Sequence, residues 1–170
     1  FPFDWSPDGR FILYEKDPTE LWVLPVSGDA KPYALIQTKT YDANARFSPD
    51  GRWVAFVSDE TGRKEVYVTR FDHPGEKWPI STDVGNNPRW RRDGKELFYL
   101  AADSKLMAVQ IKPGEKFDAG APTALFKSDP LSPDYDVTAD GQRFLFIASA
   151  PGNQRLPFAV ILNWMADLKR

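Results

Sequence analysis

Four charged residues, Asp4, Arg46, Arg89 and Asp136, each stand five positions before the glycine of an Asp-Gly pair. Two carboxylates and two guanidiniums brought to one place could grip a polar ligand, an ion or a peptide end through charge-assisted hydrogen bonds. They could equally neutralise one another as salt bridges between structural units, since opposite charges alternate around part of the set. Beside them stand Tyr41, Asp42 and Asn44, then Asn86, then Tyr135. Such side chains suit hydrogen bonding and stacking with a peptide or a sugar. Asn and Asp also serve as turn residues, because they tolerate unusual backbone angles. The expected ligand-binding set is therefore Tyr41, Asp42, Asn44, Arg46, Asn86, Arg89, Tyr135 and Asp136.

Other chemistry is poorly supplied. The chain has no cysteine and one histidine, His73, set in the turn-like run His73-Pro74-Gly75. A metal centre built on His or Cys cannot be assembled from one such residue. No Gly-x-Ser-x-Gly elbow is present. No catalytic residue, metal site or cofactor is expected. One enzymatic alternative stays open: a hydrolase of the glycosidase kind, with Asp42 and Asp136 as its carboxylate pair.

The elements that must position these residues are organised by one turn. It occurs as Ser6-Pro7-Asp8-Gly9, Ser48-Pro49-Asp50-Gly51, Arg91-Arg92-Asp93-Gly94 and Thr138-Ala139-Asp140-Gly141, its glycines 42, 43 and 47 residues apart. Proline pre-sets φ for a type I turn, aspartate bonds back to nearby amides, and glycine takes the left-handed position. Apolar residues follow in register: Ile12, Val54, Leu97 and Phe144 three places after the glycine, and Tyr14, Phe56, Tyr99 and Phe146 five places after it. A period in this range marks a propeller blade of four strands.

The fold class predicted is all-β, a β-propeller of four-stranded antiparallel blades. One domain spans 1–170, with blades at about 1–38, 39–82, 83–128 and 129–170, the last lacking its outer strand. Innermost strands line the central channel of a propeller, so the charged set would face it.

The net charge of −2 leaves no basic excess for nucleic acid, and no run of about 20 apolar residues is present to insert in a membrane. Phe1 opens inside a strand pattern without an initiating methionine, which reads as a piece of a longer chain.

The turns, together with Glu65-Val66-Tyr67-Val68, resemble the TolB-type propeller repeat. Similar repeats form the propeller of prolyl oligopeptidase-like enzymes and the periplasmic part of many bacterial proteins. More narrowly, Phe3-Asp4-Trp5-Ser6-Pro7-Asp8-Gly9 and Val160-Ile161-Leu162-Asn163-Trp164 resemble the propeller end of bacterial membrane-anchored Ser/Thr protein kinases. The resemblance implies a binding, sensor or docking module of a larger bacterial protein, in a periplasmic or other extracytoplasmic setting. Its partners would be a peptide, protein or sugar ligand. A purely structural, self-assembling unit is a further alternative. Four blades can close a small ring, but an open arc would leave bare ends, so a homodimer closing eight blades through the open edges is expected, with a closed four-blade monomer or a larger assembly as the alternatives.

Overall fold

The computed structural model describes residues 1–112, 114–128, 134–146 and, for the backbone path alone, 159–162. All its named elements are strands. The first blade orders β1 (Pro2–Trp5), β2 (Phe11–Asp17), β3 (Glu20–Pro25) and β4 (Tyr33–Gln37) side by side. The second orders β5 (Asp42–Phe47), β6 (Trp53–Ser58), β7 (Glu65–Arg70) and β8 (Lys77–Pro79) in the same way. Every pairing in both is antiparallel.

The third blade departs at its rim. Its inner strands are β9 (Gly85–Trp90), β10 (Glu96–Ala101) and β11 (Lys105–Lys112), and the long edge of β11 carries two partners. The short β12 (Asp118–Ala119) pairs with Ile111 and Lys112, while β13 (Thr123–Lys127) pairs with Lys105 to Ala108. The expected outer strand is there, and part of the expected connection is a second edge strand. The fourth blade has β14 (Tyr135–Val137), β15 (Arg143–Phe146) and β16 (Ala159–Leu162). The rest of the fourth unit, including its expected lack of an outer strand, lies outside the described residues, as does the tail after 162.

The repeated turn is the same object in all four blades. The glycine N–H donates to the carbonyl three residues back at 2.8–2.9 Å, and the glycine φ lies between 70° and 73°. The aspartate accepts from the amide two residues on, at 3.0–3.1 Å. Ser6, Ser48 and Thr138 bind the same aspartate through their hydroxyls, and Arg91 does so by its guanidinium in the third copy. The turns also touch in sequence. A Cβ on Gly51 would lie 3.8 Å from the Pro7 ring, and one on Gly94 3.8 Å from the Pro49 ring.

Side chains alternate between the two faces of each blade, and both faces are used. Leu13, Leu21 and Val23 of blade one meet Phe47, Val54, Phe56 and Tyr67 of blade two. Trp53, Ala55, Val57 and Val66 on the opposite face of blade two meet Leu97, Tyr99 and Val109 of blade three. Phe98, Leu100 and Leu106 of blade three meet Tyr135, Phe144 and Phe146 of blade four. β6 is consequently buried along its whole length. Two aromatic pairs that join blades lie edge-on, Phe98 with Phe144 and Trp53 with Phe117, each at 5.1 Å, the geometry ring quadrupoles favour.

Candidate functional site

The innermost strands β1, β5, β9 and β14 set out the charged residues as the spacing predicts. Asp4, Arg46, Arg89 and Asp136 sit opposite Leu13, Ala55, Phe98 and Leu145 in their respective ladders. Three of the four are re-aimed by a bulge just before them. In β5, Asn44 and Ala45 together oppose Phe56; in β9, Asn87 and Pro88 oppose Tyr99; β1 shifts register between Pro2 and Asp4. Asn44 and Asn87 carry the left-handed backbone these bulges need, at φ 52° and 50°. Asparagine is among the few residues that accept this conformation.

The charged residues come together around an open concavity of about 510 Å³, lined by Asp4, Arg46, Arg89, Tyr135, Asp136 and Trp90 among others. Arg46 donates through one Nη1 to the carbonyls of Phe3 on blade one and of Ala45. Burial, then the adjacent charge of Arg89, pulls its guanidinium below the ordinary arginine range. Arg89 donates to the carbonyl of Pro88 at 3.0 Å, stands 3.9 Å from an Asp134 oxygen and lies 5.6 Å from the ring centroid of Tyr135. The Tyr135 hydroxyl is buried and has no hydrogen-bond partner among the described residues. Burial drives its pKa well above the usual phenol value. Burial also raises the Asp4 carboxyl, even though it accepts from the Phe47 N–H at 2.8 Å.

The salt-bridge reading is thereby refined. The inter-blade bonds of Asp4 and Arg46 run to backbone groups of the neighbouring blade, and the Trp90 indole likewise donates to the Arg46 carbonyl at 3.2 Å. These are latches between blades, and the charges act on one another at longer range.

The remaining expected residues divide. Asn44 donates to Asn86 at 2.9 Å and so bridges blades two and three. Sequence reasoning missed Asn87, the true counterpart of Asn44, which its place seven residues before the turn glycine would have shown. Asp42 and Tyr41 are not ligand loops beside the arginines. Asp42 belongs to β5, is fully buried, and receives the Thr38 hydroxyl at 2.6 Å. Burial raises its carboxyl as well. Tyr41 takes its backbone bond to Asp59 and lies 4.4 Å under Lys64. Asp42 does not line the concavity that Asp136 lines, so the carboxylate pair imagined for glycoside hydrolysis is not assembled there. His73 is 81% exposed beyond β7, where its Nδ1 lies 3.1 Å from Asp72.

No family model matches the chain. Dipeptidyl-peptidase 5 of Porphyromonas gingivalis is 27% identical in an alignment of 135 positions that covers 66% of this chain and 20% of that protein. The chain thus spans a fifth of the length of this curated relative. Among solved structures, TolB from Acinetobacter baumannii matches with a TM-score of 0.69 at 19% identity, over 95% of this chain and 40% of that one. The β-propeller domain of Myceliophteria thermophila Swd1 matches with a TM-score of 0.64 at 10% identity, over 92% of this chain and 55% of that one. At such identities the likeness speaks for the fold, and the fold is that of a TolB-like β-propeller.

Proposed function

We propose that this chain is a non-catalytic binding module that takes the free carboxylate of a peptide at the channel end of its inner strands. The observation that carries the reading is the pair Arg46 and Arg89, which line one concavity and whose charges act on one another. Two neighbouring guanidiniums in partly dry surroundings repel, and an anion between them would relieve that cost. A carboxylate has the fork geometry that arginine matches. Asp4 and Asp136 at the rim would suit a ligand carrying a cationic group as well. The module would serve as the sensor or docking part of a larger bacterial protein such as a membrane-anchored kinase, on the extracytoplasmic side.

A second reading rests on the likeness to a protein named as a dipeptidyl-peptidase. Under it the same site would hold a peptide end for chemistry done by groups outside this segment. The single histidine, exposed at the outer edge of blade two, favours placing such chemistry elsewhere.

Calorimetric titration with short peptides that differ only in a free or amidated C-terminus tests the proposal. Free-acid peptides should bind, binding should weaken with salt, and Arg89→Ala should cost at least about tenfold, or about 1.4 kcal/mol, at unchanged melting temperature. Equal binding of acid and amide, or an Arg89→Ala variant that melts earlier yet binds as before, overturns it.

A further inference from the structure

The first two seams end differently where their turns meet. Between blades one and two, the Phe71 ring lies 5.1 Å from Phe11 and 5.0 Å from Phe47, edge-on to both. Between blades two and three, the same repeat positions hold Ile111, Trp53 and Trp90. Ile111 is the counterpart of Phe71. Its N–H donates to the Lys95 carbonyl as that of Phe71 does to the Arg52 carbonyl, each one residue past a turn glycine. An aliphatic side chain thus stands where the first seam has a ring. A pocket of about 130 Å³ opens there, walled by Trp53, Trp90, Ile111 and Phe117. One water needs about 10–15 Å³ of such space, so the pocket has room for a small molecule.

The rim of this pocket is cationic, with Arg52, Lys95, Lys112 and Lys116 along it. Lys112 is held by Asp118 at 2.8 Å. Arg52, Lys95 and Lys116 are in no ion pair among the described residues, whereas Arg10, at the place of Arg52 and Lys95 in the first turn, is bound to its own Asp8 at 2.6 Å. The two carboxylates at the rim are already committed. Asp50 accepts from the Ser48 hydroxyl and the Arg52 N–H, and Asp93 from the Arg91 guanidinium.

We propose that this pocket binds a small planar aromatic anion of the benzoate kind, its ring between Trp53 and Trp90 in place of the missing phenyl and its charge turned to Arg52, Lys95 and Lys116. Aromatic walls favour a ring, and cations without partners favour an anion at its end. The pocket lies between two blades that are each flanked by another, so it depends neither on an open face nor on the peptide site proposed above.

NMR titration of the chain with sodium benzoate at constant ionic strength should move the Ile111 methyl and Trp53 indole signals, with a Kd of about 1 mM or tighter. Neither reporter lines the channel concavity, so Arg89→Ala should leave their response unchanged. Ile111→Phe, which restores the ring of the first seam, should abolish binding. Lys95→Gln with Lys116→Gln, both exposed, should weaken it at least about fivefold, and benzamide, which lacks the charge, should bind the native chain as poorly. The paired lysine variant decides alone should Ile111→Phe fail to fold. Silence of both reporters up to about 10 mM benzoate overturns the proposal. So does an unchanged affinity in the lysine variant, or an Ile111→Phe chain that folds and binds as before. Benzamide as strong as benzoate removes the anion from it, inorganic phosphate as strong as benzoate removes the ring, and either result overturns it.

Discussion

Asp42→Asn should stabilise this protein at neutral pH. Asp42 is fully buried at the start of β5, where its Oδ2 accepts from Thr38 at 2.6 Å. Ser58 stands directly opposite in the ladder, also fully buried, and its hydroxyl acts on the same carboxyl as a second hydrogen-bond donor. An asparagine there could keep the Thr38 bond through its carbonyl oxygen and offer its amide N–H to Ser58. That swap removes a buried charge, whose desolvation outweighs the two hydrogen bonds it receives, and keeps a partner for each hydroxyl. A net gain of about 1–3 kcal/mol, or about 2–10 °C in melting temperature for a chain of this size, is expected. The pH dependence follows from the raised carboxyl. A folded-state value above the unfolded one means that the native chain has its full share of stability below about pH 3.8, and loses it as pH rises through the folded value. The variant should therefore equal the native chain in acid and pull ahead on approach to neutrality. Thermal unfolding followed by tryptophan fluorescence between pH 3 and pH 8 reads this directly. An Asp42→Asn chain that melts earlier at pH 7, by as much as Asp42→Ala does, would refute the reasoning and show an ionised carboxylate that the fold needs.

Two further substitutions probe the seams and the turn. Phe56→Ala empties a fully buried position between blades one and two and should cost about 3–5 kcal/mol, read from the denaturant midpoint; a loss under about 1 kcal/mol would mean a loosely packed seam. Arg91→Leu should release Asp93, which the guanidinium holds at about 2, towards its ordinary 3.8. Carboxylate NMR titration would show the shift, and an unmoved midpoint would assign the depression to the Lys95 amide instead.

The turns were legible because their chemistry is local. Asp and Gly, with a hydroxyl in three of the four copies, determine the bonds and the left-handed glycine whatever surrounds them, so the period and the strands after each turn could be read directly. The two-residue β12 could not, since Asp118–Ala119 pairs only because β11 extends past β13. The arginines and Asp4 were legible as a set by position. Their partners were not, because a bulge turns each strand in a way that only the neighbouring backbone reveals. Asp42 was misread for a similar reason. A polar residue two places before a left-handed asparagine resembles a loop, and only its ladder to Ser58 shows it inside the sheet.

The same four positions do two jobs, and their division follows from how many neighbours each has. Where inner strands crowd together, a charged side chain can satisfy the backbone of the next blade. Asp4 takes the Phe47 N–H and Arg46 gives to the Phe3 carbonyl, and both act as latches across the seam of blades one and two. Arg89 finds its carbonyl on its own strand, at Pro88, and its Asp134 contact is long at 3.9 Å. Asp136 accepts from its own neighbour, the Val137 N–H, and is exposed. The half of the concavity formed by blades three and four thus carries its charge with little commitment to the scaffold, while the other half holds the blades together. A ligand gains most by bonding groups that pay no structural penalty for turning towards it. For this reason Arg89, rather than Arg46 or Asp4, is where binding and stability should separate under mutation.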